Sequence, residues 1–267
     1  MTNADTSAGA HRCEPVFRAL EIIATTLARA QKLDLQYSGL ENIPRIGGAV
    51  LVLNHTAYVD FIPAAIGVHR VGRRVRFIVK SEVMDIGIMR FLVNNTRTIP
   101  VDRSQGAQAY RAALSSLHEG EIVAVYPEAT ISRSFELKEF KTGAVRMAAG
   151  AHVPMVPAIV WGAHRQWTKS GRRAMGRKGI PIAVRFGRPI TVAPDVDAEA
   201  ETTRLRETMT QMLHTVQSTY PHPADEFWVP ARLGGSAPTP AAAATIETEE
   251  AARKAAARAA KSRKAGR

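Results

Sequence analysis

One cysteine, Cys13, in 267 residues excludes an internal disulfide and any zinc site built on several thiolates. A chain so poor in thiols suits a reducing compartment. No apolar run approaches the roughly 18–20 residues needed to cross a bilayer. The opening MTNADTSAGAHRCE lacks the basic-then-apolar order of a secretory signal. Together these absences lead us to expect a cytoplasmic protein without a membrane span. There is no Gly-x-Ser-x-Gly turn to present a serine nucleophile, no His-Glu-x-x-His metal motif, and no internal repeat. The expected metal content is none. Acidic residues disappear from Ala251 onward, where seven basic residues remain.

What the chain does have is positive charge, a net +12 with an isoelectric point near 10.3. Such a field favours polyanions, whether nucleic acid, anionic headgroups or phosphorylated substrates. An apolar fraction of 45% supplies a sizeable core, and the length suits one α/β domain with appendages.

Residues 14–33 carry Val16, Leu20, Ile23 and Leu27 at helical spacing. This predicts an amphipathic helix with two uses, packing on the domain or lying on a membrane surface. Short apolar runs then alternate with helical stretches. Strands are expected at 48–54, 74–80, 97–101, 121–127, 153–162 and 180–190. Helices are expected at 58–69, 82–93, 104–119, 141–151 and 198–219. The alternation predicts an α/β fold, a mainly parallel mixed sheet flanked by helices. Three divisions follow: an N-terminal segment 1–34, a domain 35–232, and an Ala/Lys/Arg-rich tail 233–267. Almost nothing apolar would hold the tail to a core, so it is expected to be disordered or conditionally helical. Its composition suits DNA or anionic lipid.

Four stretches stand at predicted strand ends, where sites form in parallel sheets. VLNHTAYVDF (52–61) sets His55 five residues before Asp60. Chance supplies that spacing readily, and a loop histidine bonded to backbone beside a helix-capping aspartate would satisfy it. NNTRTIPVDRS (94–104) flanks a short strand with Arg97 and Arg103. VYPEATISRS (125–134) places Pro127 and Glu128 directly after a buried strand, and VPMVPAIVWG (153–162) has two prolines in an apolar run. In order and spacing, over about residues 35–190, these resemble the glycerolipid acyltransferase superfamily, typified by lysophosphatidic acid acyltransferases. That family shows Asn-His-x4-Asp, an apolar stretch ending in Arg, Phe-Pro-Glu-Gly-Thr-Arg, and Val-Pro-(apolar)-x-Pro-Val.

The resemblance implies acyl transfer from acyl-CoA or acyl carrier protein, a co-substrate and not a resident cofactor, to a lipid hydroxyl. The leading acceptor is 1-acylglycerol-3-phosphate (lysophosphatidic acid), giving phosphatidic acid. Glycerol-3-phosphate, another lysophospholipid and a glycolipid sugar remain alternatives. His55 would be the general base and Asp60 its orienting carboxylate. Arg103, Glu128, Thr130, Arg133 and Lys141 would bind the acceptor, with Glu128 as a structural ion pair and Arg103 as a solvated surface residue being the plainer readings. Two departures touch this set. Ala129 stands where the family has Gly, so a positive φ there would strain it, and Arg133 comes two residues late. Lys141 opens FKTGAVRMA (140–148), at a predicted helix N-terminus suited to an anion.

The basic loop 163–178 has Trp161 and Trp167 at its root, a pattern suited to a headgroup layer. Coenzyme A phosphates or plain solvent would also satisfy it. The expected location is peripheral, on the inner face of the cell membrane. The competing class is a basic lipid- or DNA-binding protein with a decayed acyltransferase site.

Overall fold

The computed structural model describes residues 14–101, 106–169, 171, 173–176 and 179–265. Its strands are β1 (Asp34–Ser38), β2 (Ala49–Leu53), β3 (Val75–Lys80), β4 (Ile99–Val101), β5 (Ile122–Val125), β6 (Met155–Trp161) and β7 (Pro181–Phe186). They form one sheet in the order β1-β7-β6-β2-β5-β3-β4. Neighbours run parallel except β6 and β7, which are antiparallel. The expected α/β fold with a mainly parallel mixed sheet is therefore what the chain adopts.

Strands β2, β5 and β6 are buried at every residue, as their unbroken apolar runs require of strands covered on both faces. Side chains alternate along them. Val50 and Val52 join a core with Val123, Val125, Ile159 and the helices α5 (Gly143–Ala151) and α6 (Ala198–Ser218). Leu51 and Leu53 turn the other way, to Ala124, Val160, Phe186 and α2 (Phe61–Arg70). At Gly67 of α2, an added Cβ would lie 2.8 Å from the Tyr37 ring and 2.9 Å from that of Phe186. The absence of a side chain there lets α2 lie close on the β1–β7 edge.

Strand β1, DLQYS, escapes the sequence reading because it is an edge strand with alternating exposure and no apolar run. Helix α1 (Pro15–Ala30) answers the question its sequence posed. It is tied to the domain by charge, with Arg74 holding Glu14 and Glu21 at 3.2 and 3.0 Å and Arg76 holding Glu14 at 2.9 Å. Its Ile22, Ile23 and Leu27 nevertheless remain more than half exposed.

Of the two states expected of the tail, disordered or conditionally helical, the structure has the helical one: residues 240–265 form helix α7 (Pro240–Ala265). Ala243 is buried, Glu247 pairs with Lys138, and Glu250 pairs with Arg133. Ion pairs hold the helix where apolar side chains are scarce, and the tail's hydropathy could not reveal that. Trp161, expected near a headgroup layer, is fully buried at the end of β6, and its indole Nε1 donates to His222 Nε2 at 3.2 Å.

Asn54 extends the sheet one step beyond β2. Its side-chain Nδ2 donates to Val160 O at 3.1 Å and its Oδ1 accepts from Val160 N at 2.7 Å. The amide thus replaces a backbone peptide in the ladder to β6, wholly out of water. Asn54→Ala strands both Val160 groups and is expected to cost about 2–4 kcal/mol, measured by equilibrium urea unfolding.

Candidate active site

Because β2 lies between β5 and β6 and runs parallel to both, the loops leaving all three strands emerge at the same edge of the sheet. His55 leaves β2, Tyr126 leaves β5, and the segment through Thr168 follows β6.

His55 Nδ1 lies 3.0 Å from Asp60 Oδ2. The same oxygen accepts the Thr56 and Ala57 backbone N–H groups, each at 3.1 Å, and Oδ1 accepts the Tyr126 hydroxyl at 2.9 Å. A buried carboxylate with four donors is acceptor-only on both oxygens, which assigns the His55 proton to Nδ1 and leaves Nε2 as the basic nitrogen. Asp60 is 1% exposed and the His55 side chain 20%, so the imidazole is reachable from solvent and the carboxylate is not. The helix-capping alternative for Asp60 fails. α2 begins at Phe61, one residue beyond Asp60, and the carboxylate turns back to the loop and makes no cap hydrogen bond.

Tyr126 also stacks on the His55 ring, with centroids 4.1 Å apart. Burial, reinforced by the Asp60 charge, raises its hydroxyl well above the usual tyrosine range, so it stays a neutral donor. Glu128 is buried beneath the histidine. One oxygen accepts the His55 N–H at 2.7 Å and the other accepts the Lys138 N–H at 3.0 Å. Ser132 N–H donates to His55 O at 2.8 Å. The β5 loop therefore grips both sides of the His55 backbone, and Glu128 acts as a bracket for that residue.

Burial pushes the Glu128 carboxyl up to about 8, against the two backbone donors and the Lys138 charge. Ala129, between Glu128 and Thr130, adopts φ +59°. It is the left-handed turn that its place in the motif foreshadowed, held without a glycine.

Of the remaining expected ligands, two are engaged by side chains of the fold. Thr130 Oγ1 accepts the Lys138 ammonium at 2.7 Å, and Arg133 pairs with Glu250. Lys141 is exposed beside the N-terminus of α5. Arg103 lies outside the described residues. Of the basic loop after β6, Trp167 packs against the Tyr58 ring and lies under the Arg173 guanidinium. Sequence reasoning passed over Tyr126, Lys138 and Asn54. Tyr126 occupies the position where the resembling motif has Phe, and its added hydroxyl was the available signal.

Two measurements follow from this loop. A left-handed alanine costs about 1 kcal/mol, so Ala129→Gly should stabilise the fold by about that amount in urea unfolding. A carboxyl raised in the folded state binds more protons there than in the unfolded chain. Glu128 should therefore make stability fall as pH rises from the ordinary carboxylate range to about 8, and Glu128→Gln should flatten that fall when unfolding is repeated across pH.

With this geometry in view, the family described as Acyltransferase matches residues 34–161. A 1-acyl-sn-glycerol-3-phosphate acyltransferase of Bacillus subtilis (strain 168) is 30% identical over 123 residues, 46% of this chain and 60% of that protein. Another of that name from Limnanthes douglasii is 30% identical over 148 residues, 53% of this chain and 50% of its own. A lyso-ornithine lipid O-acyltransferase of Brucella abortus (strain 2308) is 27% identical over 186 residues, covering 57% and 66%. The chain thus spans about half to two-thirds of the curated relatives it matches. The crystal structure of the 1-acyl-sn-glycerophosphate (LPA) acyltransferase PlsC from Thermotoga maritima superposes with a TM-score of 0.60 at 20% identity, over 77% of this chain and 84% of that one, a likeness of fold. Residues 34–161, which carry both the His55–Asp60 pair and the loop that grips it, are the part of the chain that matches the acyltransferase family.

Proposed function

We propose that the protein transfers a fatty acyl group from a thioester, acyl-CoA or acyl carrier protein, to the hydroxyl of a lysophospholipid, with 1-acylglycerol-3-phosphate as acceptor and phosphatidic acid as product. The observation that carries this reading is the 3.0 Å pairing of His55 Nδ1 with the fully hydrogen-bonded Asp60 carboxylate. The acceptor hydroxyl gives its proton to His55 Nε2 as its oxygen attacks the thioester carbonyl. Asp60 steadies the imidazolium that forms. The tetrahedral adduct then collapses, the C–S bond breaks, and the thiolate leaves with the proton from His55. No acyl-enzyme intermediate is required.

The acceptor assignment is supported by the printed names of the Bacillus and Limnanthes relatives. The Brucella relative supports a second reading, a lyso-ornithine lipid as acceptor. Among the described residues no helix is long and apolar enough to cross a membrane. Peripheral binding is supported by the exposed Ile22, Ile23 and Leu27 of α1 together with the net positive charge.

Purified protein incubated with palmitoyl-CoA and a panel of acceptors is expected to release thiol only with a matching acceptor, greatest with 1-acylglycerol-3-phosphate. His55→Ala and Asp60→Asn should each lower that rate by a factor on the order of 10²–10⁴. Turnover surviving the His55 change would sink the mechanism. Absence of thiol release with every acceptor tested would favour a basic lipid- or DNA-binding protein whose site has decayed.

A further inference from the structure

Three cations gather beside the dyad. Arg133 and Lys138 stand on the loop leaving β5, which is tied to His55 directly through Ser132 N–H and indirectly through Glu128. Lys169 stands on the segment leaving β6, next to Thr168, whose hydroxyl donates to Thr56 O at 2.7 Å. Trp167 O accepts the Tyr58 N–H at 3.0 Å. Both segments are therefore fastened to the turn that carries His55. Lys169 is partly buried, and burial foremost, then the charges of Arg133 and Lys138, holds its ammonium below the usual lysine range.

Cations gathered and partly desolvated in this way call for an anion. In this chain two carboxylates of α7 supply it. Glu247 pairs with Lys138 and Glu250 with Arg133, and both favour the charged form of Lys169. Their spacing of three residues puts them on one face of the helix. Ala243 is the one buried side chain among the described residues of α7, so little apolar contact secures it. Beyond Glu250 the tail carries seven basic residues and no acid, so the anionic stretch falls where the helix meets the cations.

We propose that α7 covers the acceptor's phosphate site at rest, with Glu247 and Glu250 in place of the phosphate oxygens, and that Lys138 and Lys169 complete that site beside Arg133, which the motif resemblance already implies as an acceptor ligand. The proposal rests on the acceptor being phosphorylated, as argued above. A phosphate monoester brings about −1.5 to −2 charges and three acceptor oxygens on one atom, so it can replace two separate carboxylates. A neutral acceptor has no means of displacing them. The helix thus makes the phosphate a condition of entry as well as a handle for binding.

Amide hydrogen exchange across residues 240–255 of the full chain tests this, in detergent micelles doped with 1-acylglycerol-3-phosphate or with monoacylglycerol, and in inorganic phosphate. The phosphorylated lipid should speed exchange in α7, and the neutral lipid should not. Inorganic phosphate should do the same only at higher concentration. A response to inorganic phosphate but not to the lipid would overturn the acceptor assignment, and identical exchange in all arms would overturn the site. In the thiol assay, Glu247→Gln combined with Glu250→Gln should lower KM for the phosphorylated acceptor by about 5-fold, as expected from removing two partly exposed ion pairs, and raise the turnover of monoacylglycerol, which the helix otherwise keeps out. An unchanged KM would overturn the proposal. If no acceptor is acylated at all, the proposed reaction fails while the exchange experiment still decides the anion site.

Discussion

The Asp60 carboxylate is buried, and the rest of the site is arranged to make that tolerable. Left alone in the interior it would cost several kcal/mol. Two backbone N–H groups, a tyrosine hydroxyl and the histidine itself supply its donors. Three of the four come from the turn between β2 and α2, and the fourth comes from the loop leaving β5. The carboxylate therefore fixes the tautomer of His55 and also pins the β2 loop to its neighbour. Chemistry and architecture share one group, so neither can drift without the other.

The same arrangement explains what could be read in advance. The apolar runs of β2, β5 and β6 announce buried parallel strands, and motifs placed at their ends announce a site, because parallel neighbours deliver their exits to one edge. His55 and Asp60 were legible for that reason, and so was the strained turn at Ala129. Glu128 was legible as important but not in its part, since nothing in YPEATISRS says that both oxygens face backbone N–H groups. Tyr126 and Asn54 act through partners distant in sequence, Asp60 and Val160. Strand β1 borrows its identity from β7, and α7 is held by charges whose partners lie more than a hundred residues away. Local pattern carries no trace of such pairings.

The net charge of +12 also acquires a structure. Part of it is spent inside the fold, where Arg74 and Arg76 fasten α1 and Arg97 pairs with Glu119 and Glu121. Another part stands next to the dyad, balanced by the glutamates of α7. Composition presents these as one excess, whereas the fold divides them into the fasteners of α1 and a cluster facing α7.

The glycine at position 67 gives the design a sensitive point far from the chemistry. Helix α2 is a rigid rod with Asp60 at its leading end, and its closeness to the sheet is set where Gly67 meets Tyr37 and Phe186. A methyl group there would act as a shim, lifting the rod and carrying the carboxylate away from the imidazole. Shifts of an ångström at such a contact are worth about a hundredfold in rate. The tolerance of the dyad is thus machined at the middle of a helix, by the smallest residue on it.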